Sequence, residues 1–221
     1  MKSKYFSPDT IENKTREMLD QLEGVYRRRE LSSLPDQTAL LILDMQDYFL
    51  EPGSHAFVPS ASAIIRGIKK MIAAFTAHSR PIIFTKHLNT LENADMMAQW
   101  WRDLITADNP LSQITNQFDL SSGIVIEKTQ YDAFHKTELE NQLAEANIEH
   151  VVICGVMTHL CCETTARSAF MRGFQVWFTV DGTATYNQEH HFSTLLNLAH
   201  GFATPVTVAE VLAAFEKDHE N

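Results

Sequence analysis

Thr38-Ala39-Leu40-Leu41-Ile42-Leu43-Asp44 is a short, unbroken apolar run closed by a carboxylate. A strand with one wet face alternates apolar and polar residues, whereas an unbroken run of this length marks a strand covered on both faces, as in a parallel sheet. Residues 81–85, 123–127, 150–154, 175–180 and 203–207 repeat the pattern as further buried strands. Helical spacing fills the gaps, most clearly at 60–78, where Ile64, Ile65, Ile68, Met71, Ile72 and Phe75 share a face. Further helices are predicted at about 94–106, 137–146, 159–172, 189–200 and 208–217. Strands alternating with helices predict an α/β protein, a three-layer α/β/α sandwich around a doubly wound, mostly parallel six-stranded sheet. Residues 9–30 read as a helical arm, so the chain divides into an N-terminal arm, 1–36, and one domain, 37–221. Open parallel sheets bind ligands beyond the carboxyl ends of their strands, near the point where strand order reverses.

Composition excludes several classes of partner. The 221 residues are 44% hydrophobic and 21% charged, within the range of ordinary globular proteins. Eighteen Lys and Arg against 28 Asp and Glu leave a net charge of −10, which repels nucleic acid and anionic lipid. The basic run Arg27-Arg28-Arg29 is short and followed by Glu30, the pattern of a solvated helix face. No stretch reaches the roughly 18 apolar residues of a membrane span, and the amino terminus lacks a signal-peptide core. Cys154, Cys161 and Cys162 are an odd, crowded set, unlike a secreted disulfide framework. A cytoplasmic protein with reduced thiols is expected.

Common cofactor signatures are missing. The eight glycines form no G-x-G, and neither a phosphate-binding P-loop nor G-x-S-x-G occurs, so the Rossmann-like topology by itself implies no nucleotide. H-E-x-x-H and C-x-x-C are also absent, and no cofactor is predicted. Three residues at strand ends stand out instead. Asp44 closes the first strand and Lys128 the third. Alone, the first is also the pattern of a turn cap and the second of a solvated surface lysine. Cys161 lies between the fourth strand and the next helix, where free backbone NH groups and a neighbouring ammonium favour a thiolate. A catalytic Cys161 should alkylate fastest near neutral pH, whereas a structural one should label only on unfolding. Cys162, which shares a face with Ala166, Ala169, Phe170 and Gly173, and Cys154 read as packing residues.

With these residues in view, the sequence resembles the isochorismatase-like hydrolase superfamily over about residues 38–208. The motifs are Leu43-Asp44-Met45-Gln46-Asp47-Tyr48-Phe49, Glu127-Lys128-Thr129-Gln130-Tyr131-Asp132-Ala133-Phe134 and Gly155-Val156-Met157-Thr158-His159-Leu160-Cys161. In the family's cysteine-hydrolase branches the matching Asp, Lys and Cys form a catalytic triad, which implies those roles for Asp44, Lys128 and Cys161. The resemblance also implies a strand order of 3-2-1-4-5-6 and a cis peptide between Val156 and Met157, presenting the Met157 and Cys161 NH groups to an oxyanion. In that order Lys128 starts roughly 10 Å from Asp44, a gap its stem must bridge.

Within the family, the wording around Asp44 and Tyr131 is closest to isochorismatases, which cleave a vinyl ether with an acidic Asp. Those enzymes carry glycine at the position of Cys161, so the thiol favours a cysteine hydrolase acting on a small amide or related carbonyl compound. Vinyl ether hydrolysis with Asp44 as general acid is the alternative, and a non-catalytic binding protein of the same fold is a third reading. Nicotinamidases hold a metal with Asp-x-His after the second strand. Here the stretch is Thr85-Lys86-His87-Leu88-Asn89, so no metal is expected and nicotinamide is not the first choice of substrate. Phe49, His87, Trp100, Trp101 and Tyr131 are predicted to line the substrate pocket. Phe134, Met157, Thr158 and His159 complete the set, which suits a small, flat, partly apolar ligand. An amphipathic arm often packs on a neighbouring subunit, so a homo-oligomer, dimer or tetramer, is expected.

Overall fold

The computed structural model describes residues 1–26, 31 and 33–217. The Arg27-Arg28-Arg29 run and the last part of the predicted arm helix lie outside the described residues. Chain order is α1 (Ile11–Glu23), β1 (Thr38–Leu43), α2 (Asp47–Leu50), α3 (Ala61–Ala77), β2 (Ile82–His87), α4 (Met97–Trp100) and β3 (Ile124–Lys128). It continues with α5 (Leu139–Glu145), β4 (His150–Val156), α6 (Glu163–Met171), β5 (Gln175–Ala184), α7 (Gln188–Gly201), β6 (Thr204–Val206) and α8 (Val208–Lys217). The strands form one sheet in the order β3-β2-β1-β4-β5-β6, and every pairing is parallel. Strand order therefore reverses between β1 and β4, and their carboxyl ends open the crevice in which such sheets bind ligands.

Continuous apolar runs have their expected consequence at the centre. Every residue of β1 is buried, because α3 covers it and β2 and β4 flank it. Helices α3 and α8 pack together and against β5, while α6 and α7 pack together over β5 and β6, giving the three-layer sandwich. The third strand departs from expectation. It is an edge strand rather than a buried one, with Ile124 and Val125 42% and 43% exposed.

The predicted helix at 94–106 is also corrected: only the single turn α4 forms there. Short polar side chains satisfy the backbone in its place. Asn93 Oδ1 accepts from Thr90 N at 2.7 Å, and Asn89 N donates to the distant Ile105 carbonyl at 2.7 Å. Met18, Leu19 and Leu22 of α1 are buried within their own chain, where α1 packs on α7 and β5, while Val25 just beyond the helix is 60% exposed.

One glycine controls the approach of β4 to β1. Gly155 pairs with Leu43, has a φ of 112°, and a Cβ there would fall 2.1 Å from the Leu43 carbonyl oxygen. Gly155→Ala is expected to cost about 2–3 kcal/mol, read as a lowered urea midpoint. An unchanged midpoint would show that the two strands can separate without penalty.

Candidate active site

At the end of β1, Asp44 has a φ of 50°, in the left-handed region that Asp tolerates better than most residues. Thr85 of β2 fixes it, accepting from Asp44 N at 3.1 Å and donating through Oγ1 to Asp44 Oδ1 at 2.7 Å. Gln46 ties the same two strand ends together. Its amide accepts from His87 N at 2.8 Å and donates to the His87 carbonyl at 3.0 Å. Lys128 ends β3 in register with His87, and its stem crosses the end of β2. The roughly 10 Å gap is thereby closed. Lys128 Nζ lies 2.7 Å from Asp44 Oδ2, donates to the Gln130 carbonyl at 2.9 Å, and sits 3.5 Å from Cys161 Sγ. Far from being a solvated surface lysine, Lys128 is 1% exposed.

Cys161 is carried by a π-helical turn, Thr158–Cys162, ahead of α6, and the Val156–Met157 peptide bond before it is cis. Carboxylate, ammonium and thiol thus converge from three strand ends. Burial pushes the Asp44 carboxyl up, but the Lys128 ammonium, with His87 and Cys161, outweighs it and holds the group below its ordinary value of 3.8. Lys128 is likewise pushed down by burial and more than recovered by Asp44 and Cys161, ending above its ordinary value. The pair is ionised at rest.

The thiol behaves otherwise than the helix terminus and ammonium led us to expect. Burial, then the Asp44 charge, push Cys161 up to about 12, and Lys128 only partly offsets them. The resting site is a carboxylate, an ammonium and a neutral thiol. Alkylation of Cys161 by iodoacetamide is therefore expected to accelerate steadily from pH 7 to 9, as only the thiolate reacts. A rate that does not rise over this range would contradict this state.

His87 is 8% exposed, and burial followed by the Lys128 charge lowers it to about 4, so the ring is neutral. Its Nε2 pairs with Asn89 Oδ1 at 2.7 Å, which makes Nε2 the protonated nitrogen and turns the lone pair of Nδ1 to Lys128 Nζ, 3.5 Å away.

A narrow cavity of about 60 Å³ opens on Cys161. Phe49, His87, Trp101, Tyr131 and Met157 line it, as the sequence predicts. Four other predicted residues do not. Trp100 is 75% exposed on the α4 turn, and Phe134 is buried against Phe174 with Arg172 over its ring. Thr158 is fully buried and bonded to His191, while His159 stacks on His190 with its Nδ1 2.6 Å from Thr185 Oγ1. Tyr48, His55, Asp103 and Tyr186 line the cavity without having been singled out. His55 Nδ1 lies 2.9 Å from Tyr48 OH and 3.3 Å from Asp103 Oδ2. Tyr48 lies on the single turn α2, and the other three occupy loops whose sequence carries no periodic signal. A larger groove, about 1010 Å³, lies at the amino ends of β4, β5 and β6, beside α1, α5 and the carboxyl ends of α6 and α7, and among the described residues no cysteine or lysine lines it.

Fold and site together define an α/β protein with a buried carboxylate, ammonium and thiol at its topological switch. The Isochorismatase domain profile matches residues 38–210, and the chain belongs to the isochorismatase family. It is 38% identical over 184 residues to Nicotinamidase 3 of Arabidopsis thaliana, covering 80% of this chain and 88% of that one. Enterobactin synthase component B of Escherichia coli is 28% identical, over 81% of this chain and 64% of its own length. A cysteine hydrolase from Pseudomonas syringae superposes with a TM-score of 0.78 at 24% identity, covering 87% of this chain and 98% of that structure. The pyrazinamidase of Pyrococcus horikoshii, solved in complex with zinc, superposes at 0.70 with 25% identity over 77% of this chain and 99% of its own.

The residues present here do not fit such a metal. The His87 Nε2 is engaged by the Asn89 amide and its Nδ1 faces an ammonium. Among the described residues, no group of three or more His, Cys, Asp and Glu is placed to hold an ion. Nor is any described helix long and apolar enough to cross a membrane.

Proposed function

We propose that this chain is a cysteine hydrolase that converts a small, flat carboxamide to its carboxylic acid and ammonia. The observation that carries the reading is the convergence of Asp44 and Lys128 on Cys161, whose side chain lines an aromatic cavity. Aromatic walls from Phe49, Trp101 and Tyr131 favour a planar ligand, and Trp101 Nε1 donates to Tyr131 OH at 2.7 Å, which holds the two rings together. The nicotinamidase and pyrazinamidase relatives support an amide as the bond broken.

Asp44 pairs with Lys128 through Oδ2 at 2.7 Å and is hydrogen-bonded to the Cys161 side chain, so it is placed to take the proton of Cys161 Sγ. With the thiol at about 12 and the carboxyl low, that transfer is uphill in the resting site, so it is coupled to attack on substrate. Sulfur bonds to the amide carbon, and Lys128 compensates the negative charge leaving the thiol. The backbone NH groups of Met157 and Cys161, the pair implied by the family resemblance, receive the oxyanion. Asp44 returns its proton to the departing nitrogen as the C–N bond breaks, leaving a thioester and free ammonia. Water then adds to the thioester, giving a proton to Asp44. The C–S bond breaks, the acid leaves, and the sulfur recovers a proton.

Acid-catalysed vinyl ether cleavage needs a carboxyl protonated near neutral pH, and an Asp44 held below its ordinary value by Lys128 is the wrong form. A screen for ammonia release from aromatic carboxamides, nicotinamide included, and carbamoyl compounds, alongside isochorismate turnover, tests the proposal. Carboxamide turnover lost in Cys161→Ala and in Asp44→Ala is the expected result. Isochorismate turnover that survives Cys161→Ala would overturn it.

A further inference from the structure

The amino-terminal segment reaches the nucleophile turn from behind. Ser60 Oγ accepts from both Tyr5 N and Phe6 N at 3.0 Å, which pins the segment and buries the Phe6 ring completely. Beyond this anchor Tyr5 OH accepts from Thr185 N at 3.0 Å and lies 3.0 Å from His191 Nδ1. The same Nδ1 lies 3.0 Å from Thr158 Oγ1. Thr158, Thr185 and His191 are all fully buried, so no water competes for these bonds. Burial holds His191 neutral, at about 3, and its Nδ1 meets both hydroxyls, with a single lone pair to accept from one of them at a time.

Thr158 is the first residue of the turn that carries Cys161. In that turn Leu160 N and Cys162 N both donate to the Met157 carbonyl, at 3.0 and 3.2 Å. The backbone is thus held from the Met157 side, and the Thr158 side chain supplies the hold from the other. We infer that Tyr5 is a positioning residue for the reaction, acting through His191 and Thr158 to fix the turn that aims Cys161 Sγ at the substrate. The arm also grips the cavity wall, since Ser3 N donates to the Tyr186 carbonyl at 2.7 Å and the Lys2 ammonium sits 4.5 Å over the Tyr186 ring. This assigns the arm a part in turnover as well as in packing, and it rests on Cys161 being the nucleophile.

Tyr5→Phe removes one hydroxyl and keeps the ring. With the carboxamide that turns over best in the screen, the variant is expected to lose on the order of tenfold or more in kcat with KM within about twofold, since small misplacements of an attacking atom are costly. Met18→Ala loosens the arm through packing alone and should lower Tm while leaving kcat near wild type. If Tyr5→Phe retains wild-type kcat, or if Met18→Ala loses kcat to the same degree, the relay is only structural and the inference falls. If the unaltered protein turns over no carboxamide, or Cys161→Ala keeps its turnover, the reading of the site itself fails. Loss of turnover in Cys161→Ala beside a fully active Tyr5→Phe defeats only the positioning role.

Discussion

Cys161→Ala is expected to lower carboxamide turnover by on the order of 10³-fold or more, with Tm within a few degrees of the unaltered protein. The proposed chemistry needs an atom that forms and then releases a bond to the amide carbon, and alanine offers none. The fold does not need it to the same extent. The side chain lost is small, and it faces the cavity rather than the centre of the sandwich. Cys162→Ala separates the proposed nucleophile from its neighbour. Cys162 is fully buried in the core, where burial above all pushes its thiol well up, and its replacement should leave turnover largely intact at a modest cost in stability. Equal loss of activity in the two variants would mean that the turn, not the sulfur of Cys161, is what matters.

Breaking the buried ion pair has the second large effect, and it falls on stability. Asp44 and Lys128 both have fully buried side chains 2.7 Å apart, so removing one leaves the other as an uncompensated charge. Lys128→Met is expected to cost about 3–5 kcal/mol in urea denaturation, and Asp44→Asn a similar amount. The double variant should be markedly more stable than either single one and still inactive, because no charge is then stranded. Equal or additive losses would show that the pair is not the source of the effect.

The pH dependence follows from the two shifts. Asp44 is lowered in the folded protein, so its contribution is complete above its ordinary value of 3.8 and is lost as pH falls through the folded value. Lys128 is raised, so its contribution is complete below its ordinary value of 10.5 and is lost as pH rises through the folded value. The unaltered protein should therefore show a broad stability plateau with steep acid and alkaline flanks. The double variant should have shallower flanks on both sides.

Much of this site is legible along the chain, because its three central residues stand at or after strand ends within motifs shared with the isochorismatase family. Position alone leaves Asp44 readable as a turn cap and Lys128 as a surface lysine. Asp44 and Lys128 terminate apolar runs, and Cys161 follows another, so strand ends narrow where chemistry lies. Lining residues are harder. Trp100 and Trp101 are adjacent and chemically alike, yet one is exposed while the other bonds Tyr131, a choice made by the irregular path of 88–123. His55, Asp103 and Tyr186 reach the cavity from segments distant in sequence, and no spacing announces them.

By itself, the sequence determined the alternation of strands and helices, the burial of the central strand, and the identity of the three groups at the strand ends. Those properties depend on periodicity and residue type, which are local. Tertiary structure alone decided that Lys128 is buried rather than solvated, that Cys161 rests as a neutral thiol, and that Tyr5 reaches the turn behind it. Each of these depends on which charges and dipoles lie within a few ångströms in space. A charge in a dry interior answers to those neighbours, however far away they lie along the chain.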